Sequence, residues 1–448
     1  MENCALNSQQ AAFVETVFDD KSQHCVLFGG AGTGKSVVLH EIVSRYKKET
    51  TDDIVILGPT GLSISKLPTA QTISTFLGAK AKTIGIPSLL IKNAKLLNKK
   101  IKTIVIDECG MISAGEFTAL DQFLRCSLQD KPFGGVRLIL IGDVYQLQPT
   151  DNFFFTTKSF QLLLEQGKIH VDQLLLNERM SITDDEEREE FLNLLNSLRI
   201  GSLASNARAQ CFINYTLKHS SRQLTDDIRK TIIHLCSTNN VANKINAKFL
   251  ECHEGDTTTF FNATGDNLTI KPGVPIQLTQ NIYTDGIMTA YNGMLATIQK
   301  VYPVDENATG EKNGVIYPSV KSQWACDIVV NDTKKELTIY SQISKPKQAE
   351  VSTGIETTST SSKIHCFHFR LAFAVTIHKM QGQTLDNAIL VGDDIFEGRA
   401  QMYVAFSRMR NWRGLYLKNI DAEIIVNAIE KKEESNELKH FIQHFNLL

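Results

Sequence analysis

The sequence predicts an α/β protein whose parallel sheets are covered by helices on both faces. Residues 1–60 read as helix, strand, Gly-rich loop, helix and strand, the alternation that is typical of βαβ units. Two further apolar runs, at 101–106 and 136–141, each end at a Gly or an acidic residue. Strands that are buried on both faces of a sheet have this composition. The chain returns to α/β character from Arg370 onwards.

Length and composition are those of an ordinary globular chain of two to four domains. Of 448 residues, 42% are hydrophobic and 21% are charged. The formal charge of −2, from 47 basic and 49 acidic residues, excludes a uniformly basic protein that coats nucleic acid by bulk attraction. A local basic groove remains compatible with this charge.

Cysteine usage and hydropathy predict an intracellular protein, nuclear or cytoplasmic and not secreted. The nine cysteines include no CxxC pair, which argues against zinc-ribbon and redox motifs and favours reduced thiols. No apolar run approaches the roughly 18 residues that a membrane helix needs. We therefore expect no membrane partner.

Residues 29–36, GGAGTGKS, fit the phosphate-loop pattern GxxxxGK[ST] between a strand and a helix. Lys35 would neutralise the β- and γ-phosphates of a nucleotide, and Ser36 would ligate Mg²⁺. Kinases, transporters and motors share this motif, so alone it predicts only nucleoside triphosphate binding. The candidate phosphate-binding residues are Gly29, Gly30, Ala31, Gly32, Thr33, Gly34, Lys35 and Ser36.

Polar side chains follow the next two buried strands. Asp107 ends the first of them, where a P-loop sheet holds Mg²⁺, and the adjacent Glu108 can deprotonate an attacking water. Gln146 follows the second and can report the presence of γ-phosphate, because its amide loses a partner on hydrolysis. A base beside the Mg²⁺ residue favours hydrolysis over phosphoryl transfer to another substrate.

Arg179 and Arg408 each lie in a short polar segment after apolar residues. An arginine that reaches the phosphates from another domain can stabilise the charge that develops on the transferred phosphoryl group. For any single arginine a surface ion pair is the simpler interpretation. The neighbouring motifs must therefore decide between a surface ion pair and a contact with the phosphates.

In their order along the chain, these motifs resemble those of superfamily 1 helicases, and within them the Pif-one/RecD-like branch. The resemblance spans about residues 5 to 418. It is carried by LNSQQ, GPTG (58–61), AQTISTF (70–76), IDECGMIS, PFGGVRLILIGDVYQLQP (132–149), NERM, TIHKMQGQTL (376–385) and YVAFSRMR (403–410). The sequence departs from the usual family pattern at Ser74, Met180, Met380 and Phe406.

The resemblance implies two RecA-like P-loop domains with ATP between them. The first would be residues 1–172, with a strand-separating wedge at about 62–100. The second would combine 173–271 with 367–448, and a small β-rich, SH3-like insert would occupy 272–366. Gln10 would read adenine, Gly382 would contact the nucleotide, and Arg179 and Arg408 would be the arginine fingers of the second domain.

The resemblance also implies an ATP- and Mg²⁺-dependent DNA helicase, active in replication, repair or recombination. It would act as a monomer on single-stranded DNA and duplex junctions and travel 5′→3′. The compact length is similar to that of motors from viral or mobile-element genomes. The expected DNA contacts are Thr60, Gly61, Thr72 and Phe76 in the first domain and Asn239, Thr376, His378 and Lys379 in the second.

Three alternatives stay open from the residues themselves. An RNA-directed superfamily 1 helicase would carry a similar motor, although the missing Cys/His-rich module argues mildly against it. A translocase or accessory ATPase would hydrolyse ATP without separating strands. A small-molecule kinase would need a phosphate acceptor where Glu108 stands.

Overall fold

The structure, a computed structural model, forms two compact units, Met1–Gln223 with Ile377–Leu448 and Leu224–Thr376. These units divide the chain at other positions than the predicted domain boundaries, which stay a prediction. The described residues are 5–20, 22–61, 63–64, 67, 69–78, 100–149, 151–179, 184–201, 213–214, 216–217, 229, 231–261, 267–284, 287–304, 311–312, 315–316, 324–331, 333–344, 364–393, 399–430 and 436–447. Most of the predicted wedge at 62–100, and Met180, lie outside them.

Six of the described strands of the first unit form a parallel sheet in the order β3-β2-β4-β5-β1-β6. They are β1 His24–Gly29, β2 Asp53–Gly58, β3 Gln71–Thr72, β4 Ile101–Ile106, β5 Arg137–Gly142 and β6 Ile169–Leu174. β1 pairs in register with β5 and β6 on its two sides. Apolar side chains of β1, β4 and β5 are buried on both faces, which confirms the prediction of a helix-covered parallel sheet.

The helices of this sheet begin at side-chain caps or at glycine. They are α1 Ser8–Asp19, α2 Lys35–Glu49, α3 Ile73–Phe76, α4 Ala114–Ser127 and α5 Lys158–Glu165, and α6 Asp185–Ile200 follows. Asn7 and Ser113 form capping boxes with Gln10 and Glu116, which satisfy backbone donors that a helix start leaves unpaired. Gly34, in the left-handed region, precedes α2.

The second unit is rich in β-strands, and the predicted SH3-like insert at 272–366 stays a prediction. Its elements are β7 His234–Cys236, α7 Asn239–Glu251, β8 Thr258–Phe261, β9 Asn267–Ile270, β10 Pro275–Leu278, β11 Ile282–Thr284, β12 Ile287–Ala290, β13 Leu295–Pro303, β14 Glu311–Lys312, β15 Val315–Ile316, β16 Trp324–Val330, β17 Glu336–Tyr340, β18 Gln342–Ser344, β19 Ile364–Cys366, β20 Phe369–Leu371 and β21 Ala374–Thr376. Five of the described strands form an antiparallel sheet, β17-β16-β13-β10-β20. β7 and β21 form a parallel pair.

The Asn292-Gly293 pair between apolar runs predicts a hairpin, and this prediction is wrong. Gly293, at φ 93°, does form a turn, but β12 before it pairs with β11, and β13 after it pairs with β10 and β16. The N–H of Gly293 donates to the carbonyl of Leu278 at the end of β10. The sheet partner of β13, and not the turn, therefore decides its pairing.

The end of the chain returns to the first unit. It contains β22 Ala388–Val391, α8 Arg399–Ser407, β23 Leu415–Lys418, α9 Ala422–Glu430 and α10 Asn436–Phe445, and β22 and β23 pair in parallel. The ring of Phe441 in α10 stacks on Phe155 at 4.1 Å and 8° and meets Phe28 of β1 edge-on. Leu438 is also buried in this aromatic cluster. No helix in the described part of the chain is both long and apolar enough to cross a bilayer.

Candidate nucleotide site

The phosphate loop joins β1 to α2 in a conformation that depends on glycine. Gly32 and Gly34 have φ of 85° and 83°, which side-chain-bearing residues rarely adopt. A Cβ at Gly34 would lie 2.2 Å from the Gln10 amide nitrogen, and one at Gly32 would lie 2.7 Å from that of Asn177. The loop thus leads into the N-terminus of a fifteen-residue helix, where free N–H groups and the helix dipole favour an anion.

Lys35 is half-buried at the start of α2, and its Nζ donates to the carbonyls of Gly29 and Gly30 at 2.8 and 2.9 Å. Burial lowers the pKa of Lys35, while the carboxylates of Asp143 and Glu108 oppose this shift. Among the described residues, the hydrogen bonds of this ammonium group go to neutral carbonyls, so an anionic ligand such as phosphate would add a stronger, charge-assisted bond. Ser36, the next residue, is exposed.

Gln10, the predicted adenine reader, is buried behind the phosphate loop. Its Oε1 accepts the N–H of Asn7, and its Nε2 donates to the carbonyl of Thr33 at 3.1 Å. Both ends of the amide thus contact the protein, and this arrangement supports the loop from α1. Its role in reading adenine stays a prediction.

Asp107 and Glu108 follow β4 on the side of the phosphate loop. Asp107 is buried, and its Oδ1 accepts the N–H of Glu108 at 2.9 Å. Glu108 has a left-handed backbone with φ 51°, an unusual conformation for a residue other than glycine. Gly110 packs closely against the end of β5, since a Cβ at this position would lie 2.3 Å from the carbonyl oxygen of Asp143.

Asp143, at the end of β5, accepts hydrogen bonds from several elements. Its Oδ2 accepts from Gln146 Nε2 at 3.3 Å and from the Tyr403 hydroxyl at 3.0 Å. Its Oδ1 accepts from Nε and Nη2 of Arg199 at 3.3 Å each. The Gln146 carboxamide also accepts from Gln381 Nε2 at 3.2 Å. The predicted sensor Gln146 is therefore held between a buried carboxylate and a second buried amide.

Arg179 and Arg408 lie in the same compact unit as the phosphate loop. Arg179 Nη1 donates to the carbonyl of Ser407 at 2.7 Å. Within the described residues, the hydrogen bonds of Arg408 go to neutral oxygens, those of Val404, Gln383 and Ser407. Burial and the neighbouring charge of Arg179 lower the pKa of Arg408. An anion between these guanidinium groups would relieve their repulsion.

The segment after β6 is fastened to the phosphate loop. Asn177 Nδ2 donates to the carbonyl of Ala31, and the N–H of Glu178 donates to that of Gly32, both at 2.7 Å. Asn7 Nδ2 donates to the Glu178 carboxylate at 2.8 Å. These contacts bring Arg179 to the loop.

The predicted DNA contacts of the first domain lie beyond β2 and around α3. Thr60 is exposed and Gly61 is half-buried. Thr72 caps α3, and its Oγ1 accepts the N–H of Thr75. The ring of Phe76 meets Phe123 edge-on at 5.5 Å, so one edge of it packs against the core. The DNA role of these residues stays a prediction.

The remaining predicted contacts belong to both units. In the second unit, Asn239 is exposed at the start of α7, and Thr376 is buried at the end of β21. In the first unit, His378 is exposed and Lys379 is half-buried in a 3₁₀ turn. Met380 is fully buried, so its side chain is not a surface contact. Gly382 has φ 78°, and apart from its chain neighbours no atom of the described residues lies within 4 Å of where its Cβ would be.

Tyr403, Arg199 and Asn177 are site residues that sequence analysis did not single out. Tyr403 lies within the motif YVAFSRMR, yet nothing in that motif shows that its hydroxyl reaches a loop 372 positions earlier. Arg199 ends an amphipathic helix, where an exposed arginine is the ordinary expectation. Only the three-dimensional structure shows that these three residues belong to the site.

Two residues of the site, Ser36 and Asp107, have side chains that suit Mg²⁺ bound together with a nucleotide. No cluster of three or more His, Cys, Asp or Glu side chains suited to a metal occurs among the described residues. Mg²⁺ commonly needs only one or two protein ligands, because water and phosphate oxygens supply the others. The hydroxyl of Ser36 and the carboxylate of Asp107 are of that kind.

The fold and this site define an α/β protein with a phosphate loop and a candidate nucleotide site. Residues 5–209 match the family model described as PIF1-like helicase. The ATP-dependent DNA helicase PIF1 of Emericella nidulans is 25% identical over 459 residues, covering 90% of this chain and 59% of the relative. The Pif1 helicase of Campylobacter jejuni is 26% identical, covering 93% of this chain and 96% of the relative.

Among solved structures, the Pif1 helicase of Candida albicans aligns with a TM-score of 0.72 at 20% identity, covering 99% of this chain and all of that one. This likeness concerns the fold and confirms the predicted α/β architecture. In sequence the chain is similar to PIF1-like helicases, with the family model matching residues 5–209. It spans 59% and 65% of the length of the first two curated relatives.

Proposed function

We propose that this chain is an ATP-dependent DNA helicase that moves 5′→3′ along single-stranded DNA and opens duplexes. One observation carries the proposal: Tyr403 joins the phosphate loop to Asp143, which also holds Gln146, and Lys35 and Arg408 both lie within electrostatic reach of Asp143 and Glu108 in the same compact unit. The curated relatives are named as DNA helicases, which favours DNA as the substrate. The direction of travel rests on the family resemblance.

Bound ATP with Mg²⁺ supplies a γ-phosphoryl group whose transfer to water releases free energy. Lys35 would exchange its bonds to the loop carbonyls for phosphate oxygens. Ser36 and Asp107 would hold Mg²⁺, and Glu108 would take a proton from the attacking water. Gln146 would contact the γ-phosphate while Asp143 keeps its amide in place.

Arg179 and Arg408 would stabilise charge on the phosphoryl group as it departs. Their partners within the described chain are neutral, so the γ-phosphate would be their strongest acceptor. Hydrolysis would remove that acceptor. A contact that exists in one nucleotide state and not in the other is what any ligand-driven motion requires.

For the DNA contacts, phosphate binding would combine with stacking. Thr60, Gly61, Thr72 and Phe76 would act on the first domain, and Asn239, Thr376, His378 and Lys379 on the second. Opening a base-pair step costs on average about 1.4 kcal/mol of stacking, which is small beside one hydrolysis cycle. The coupling of ATP hydrolysis to strand separation, and not the energy that hydrolysis supplies, would limit unwinding.

The proposal retains the predicted domains, with motor domains at 1–172 and at 173–271 plus 367–448, and an insert at 272–366. It also retains a monomer as the active form and single-stranded DNA with duplex junctions as partners. The protein would act inside the cell, where its DNA is.

The experiment compares partial duplexes that carry a 5′ or a 3′ single-stranded tail, with ATP and Mg²⁺, and uses Lys35→Ala as the blank. We expect opening of the 5′-tailed DNA alone. Opening of the 3′-tailed DNA alone would contradict the direction, and preference for RNA tails would contradict the substrate. ATP hydrolysis without opening would indicate a translocase.

A further inference from the structure

One hydroxyl group connects three elements at the nucleotide site. Tyr403 is buried on α8, and its Oη accepts the N–H of Ala31 in the phosphate loop at 2.8 Å. The same hydroxyl donates to Asp143 Oδ2 at 3.0 Å, and a phenol can donate and accept at once. Burial and the neighbouring Asp143 raise the pKa of Tyr403, so the hydroxyl keeps its proton at working pH. The phosphate loop, the end of β5 and α8 thus meet at one atom.

The carboxylate on which this hydroxyl rests is held from the opposite side. Arg199 donates through Nε and Nη2 to Asp143 Oδ1, and its guanidinium lies over the ring of Tyr145 at 4.5 Å. The other oxygen of Asp143 serves both Tyr403 and Gln146. Rotating the carboxylate would disturb all of these bonds together, so its orientation is fixed.

The position of Tyr403 also determines the position of Arg408. α8 ends at Ser407, and Arg408 Nε donates back to the carbonyl of Val404 at 3.0 Å. The arginine is thereby tied to the helix turn that begins beside Tyr403. A displacement of about 1 Å in a group that contacts the reacting phosphoryl can cost about a hundredfold in rate.

We propose that Tyr403, held by Asp143 and Arg199, is a positioning residue that aligns Arg408 and Gln146 with the phosphate loop. The inference rests on the proposed function, because alignment matters only if ATP is hydrolysed. Tyr403 acts through the groups that it holds and needs no contact with the nucleotide. Loss of its hydroxyl should therefore affect the chemical step more than ATP binding.

The test is Tyr403→Phe, assayed by DNA-stimulated ATP hydrolysis and by binding of a fluorescent ATP analogue with Mg²⁺. We expect kcat to fall about 10- to 100-fold. KM and Kd should stay within about threefold of wild type, as expected for an interaction expressed in the transition state. The matched control is Tyr46→Phe, since that buried hydroxyl contacts Thr103 Oγ1 at 2.6 Å near the far end of α2. Its kcat should stay within about twofold.

A double-variant cycle adds a measurement that general destabilisation would not reproduce. Asp143→Asn alone should also lower kcat, and adding Tyr403→Phe should cause little further loss, because both changes break the same link. If the two substitutions lowered kcat independently, so that their fold-losses multiplied in the double variant, the positioning role would be overturned.

The outcomes separate the two proposals. A wild-type chain without ATP hydrolysis would overturn the proposed function and the inference together. Normal wild-type hydrolysis, with Tyr403→Phe no worse than Tyr46→Phe, would overturn the inference alone. A rise in KM and Kd at unchanged kcat would also overturn it, because the hydroxyl would then serve nucleotide binding.

Discussion

The C-terminal part of the chain attaches to the first sheet in two places with different chemistry. At the phosphate loop the attachment is polar: Tyr403 bonds to Ala31 and Asp143, and Arg179 bonds to the carbonyl of Ser407. At the aromatic cluster it is apolar, with Phe441 of α10 stacked on Phe155. Both attachments involve β1, because the phosphate loop follows the end of this strand and Phe28 lies within it.

The difference concerns which attachment a nucleotide can alter. Hydrogen bonds depend on direction and can be exchanged for bonds to phosphate oxygens. Apolar burial has no preferred direction and does not compete with phosphate. We therefore expect the polar attachment to respond to ATP, and α10 to remain anchored throughout the cycle.

The largest expected effect is on the polar side. Arg408→Ala should lower kcat for ATP hydrolysis by about 10³-fold or more, as removal of an arginine finger does. Affinity for ATP should change far less. Steady-state kinetics checks this, with the exposed Arg410→Ala as the neighbouring control. Equal losses in both variants would show that the positive charge of this segment matters and not the buried site.

The apolar attachment should show the opposite pattern. Phe441→Ala removes a buried ring and should destabilise the protein by about 3–5 kcal/mol, with little change in kcat for the folded fraction. Urea unfolding measures the loss, and His440→Ala on the exposed face of α10 is the control. If Phe441→Ala instead abolished hydrolysis at unchanged stability, α10 would belong to the catalytic device.

These two attachments also differ in how far the sequence predicted them. The phosphate loop and the Asp107-Glu108 pair could be predicted because each is a contiguous motif beside a strand. The bond between Tyr403 and Asp143 joins positions 260 apart, and no local spacing encodes it. The apolar spacing of the C-terminal run EKKEESNELKHFIQHF predicts one amphipathic helix, of which α10 forms residues 436–445, but periodicity does not show which surface that helix packs on.

Acid should lower the free energy of unfolding by protonating His24 in β1, the strand that both attachments involve. Burial lowers the pKa of His24 from 6.5 to about 4, and its Nδ1 accepts the N–H of Leu138 on β5. Below pH 6.5 the unfolded chain therefore binds a proton that the folded chain does not. Stability should fall from that pH down to about 4, by up to about 3 kcal/mol.

Urea midpoints measured across this pH range test the acid effect. His24→Gln retains an acceptor for Leu138 but cannot titrate. The variant should lose this part of the pH dependence, and an unchanged slope would assign the effect to other groups.

The smallest expected effect is at the outer edge of the polar side. Asn7→Ala removes the cap of α1 and the bond to Glu178 and should cost about 1 kcal/mol of stability. Asn7→Ser keeps the cap acceptor and loses only the Glu178 contact. The urea midpoint should be highest for the wild type, lower for Asn7→Ser and lowest for Asn7→Ala. If Ser were as unstable as Ala, the contact with the segment after β6 would matter more than the cap.

The most direct test is hydrogen–deuterium exchange of the wild-type chain, with and without a non-hydrolysable ATP analogue and Mg²⁺. Peptides covering 29–36 and 399–407 report the polar attachment, and peptides covering 436–445 report α10. We predict that the analogue slows exchange in the first two and leaves α10 unchanged. An equal change in α10, or none in α8, would contradict the view that only the polar attachment responds to the nucleotide.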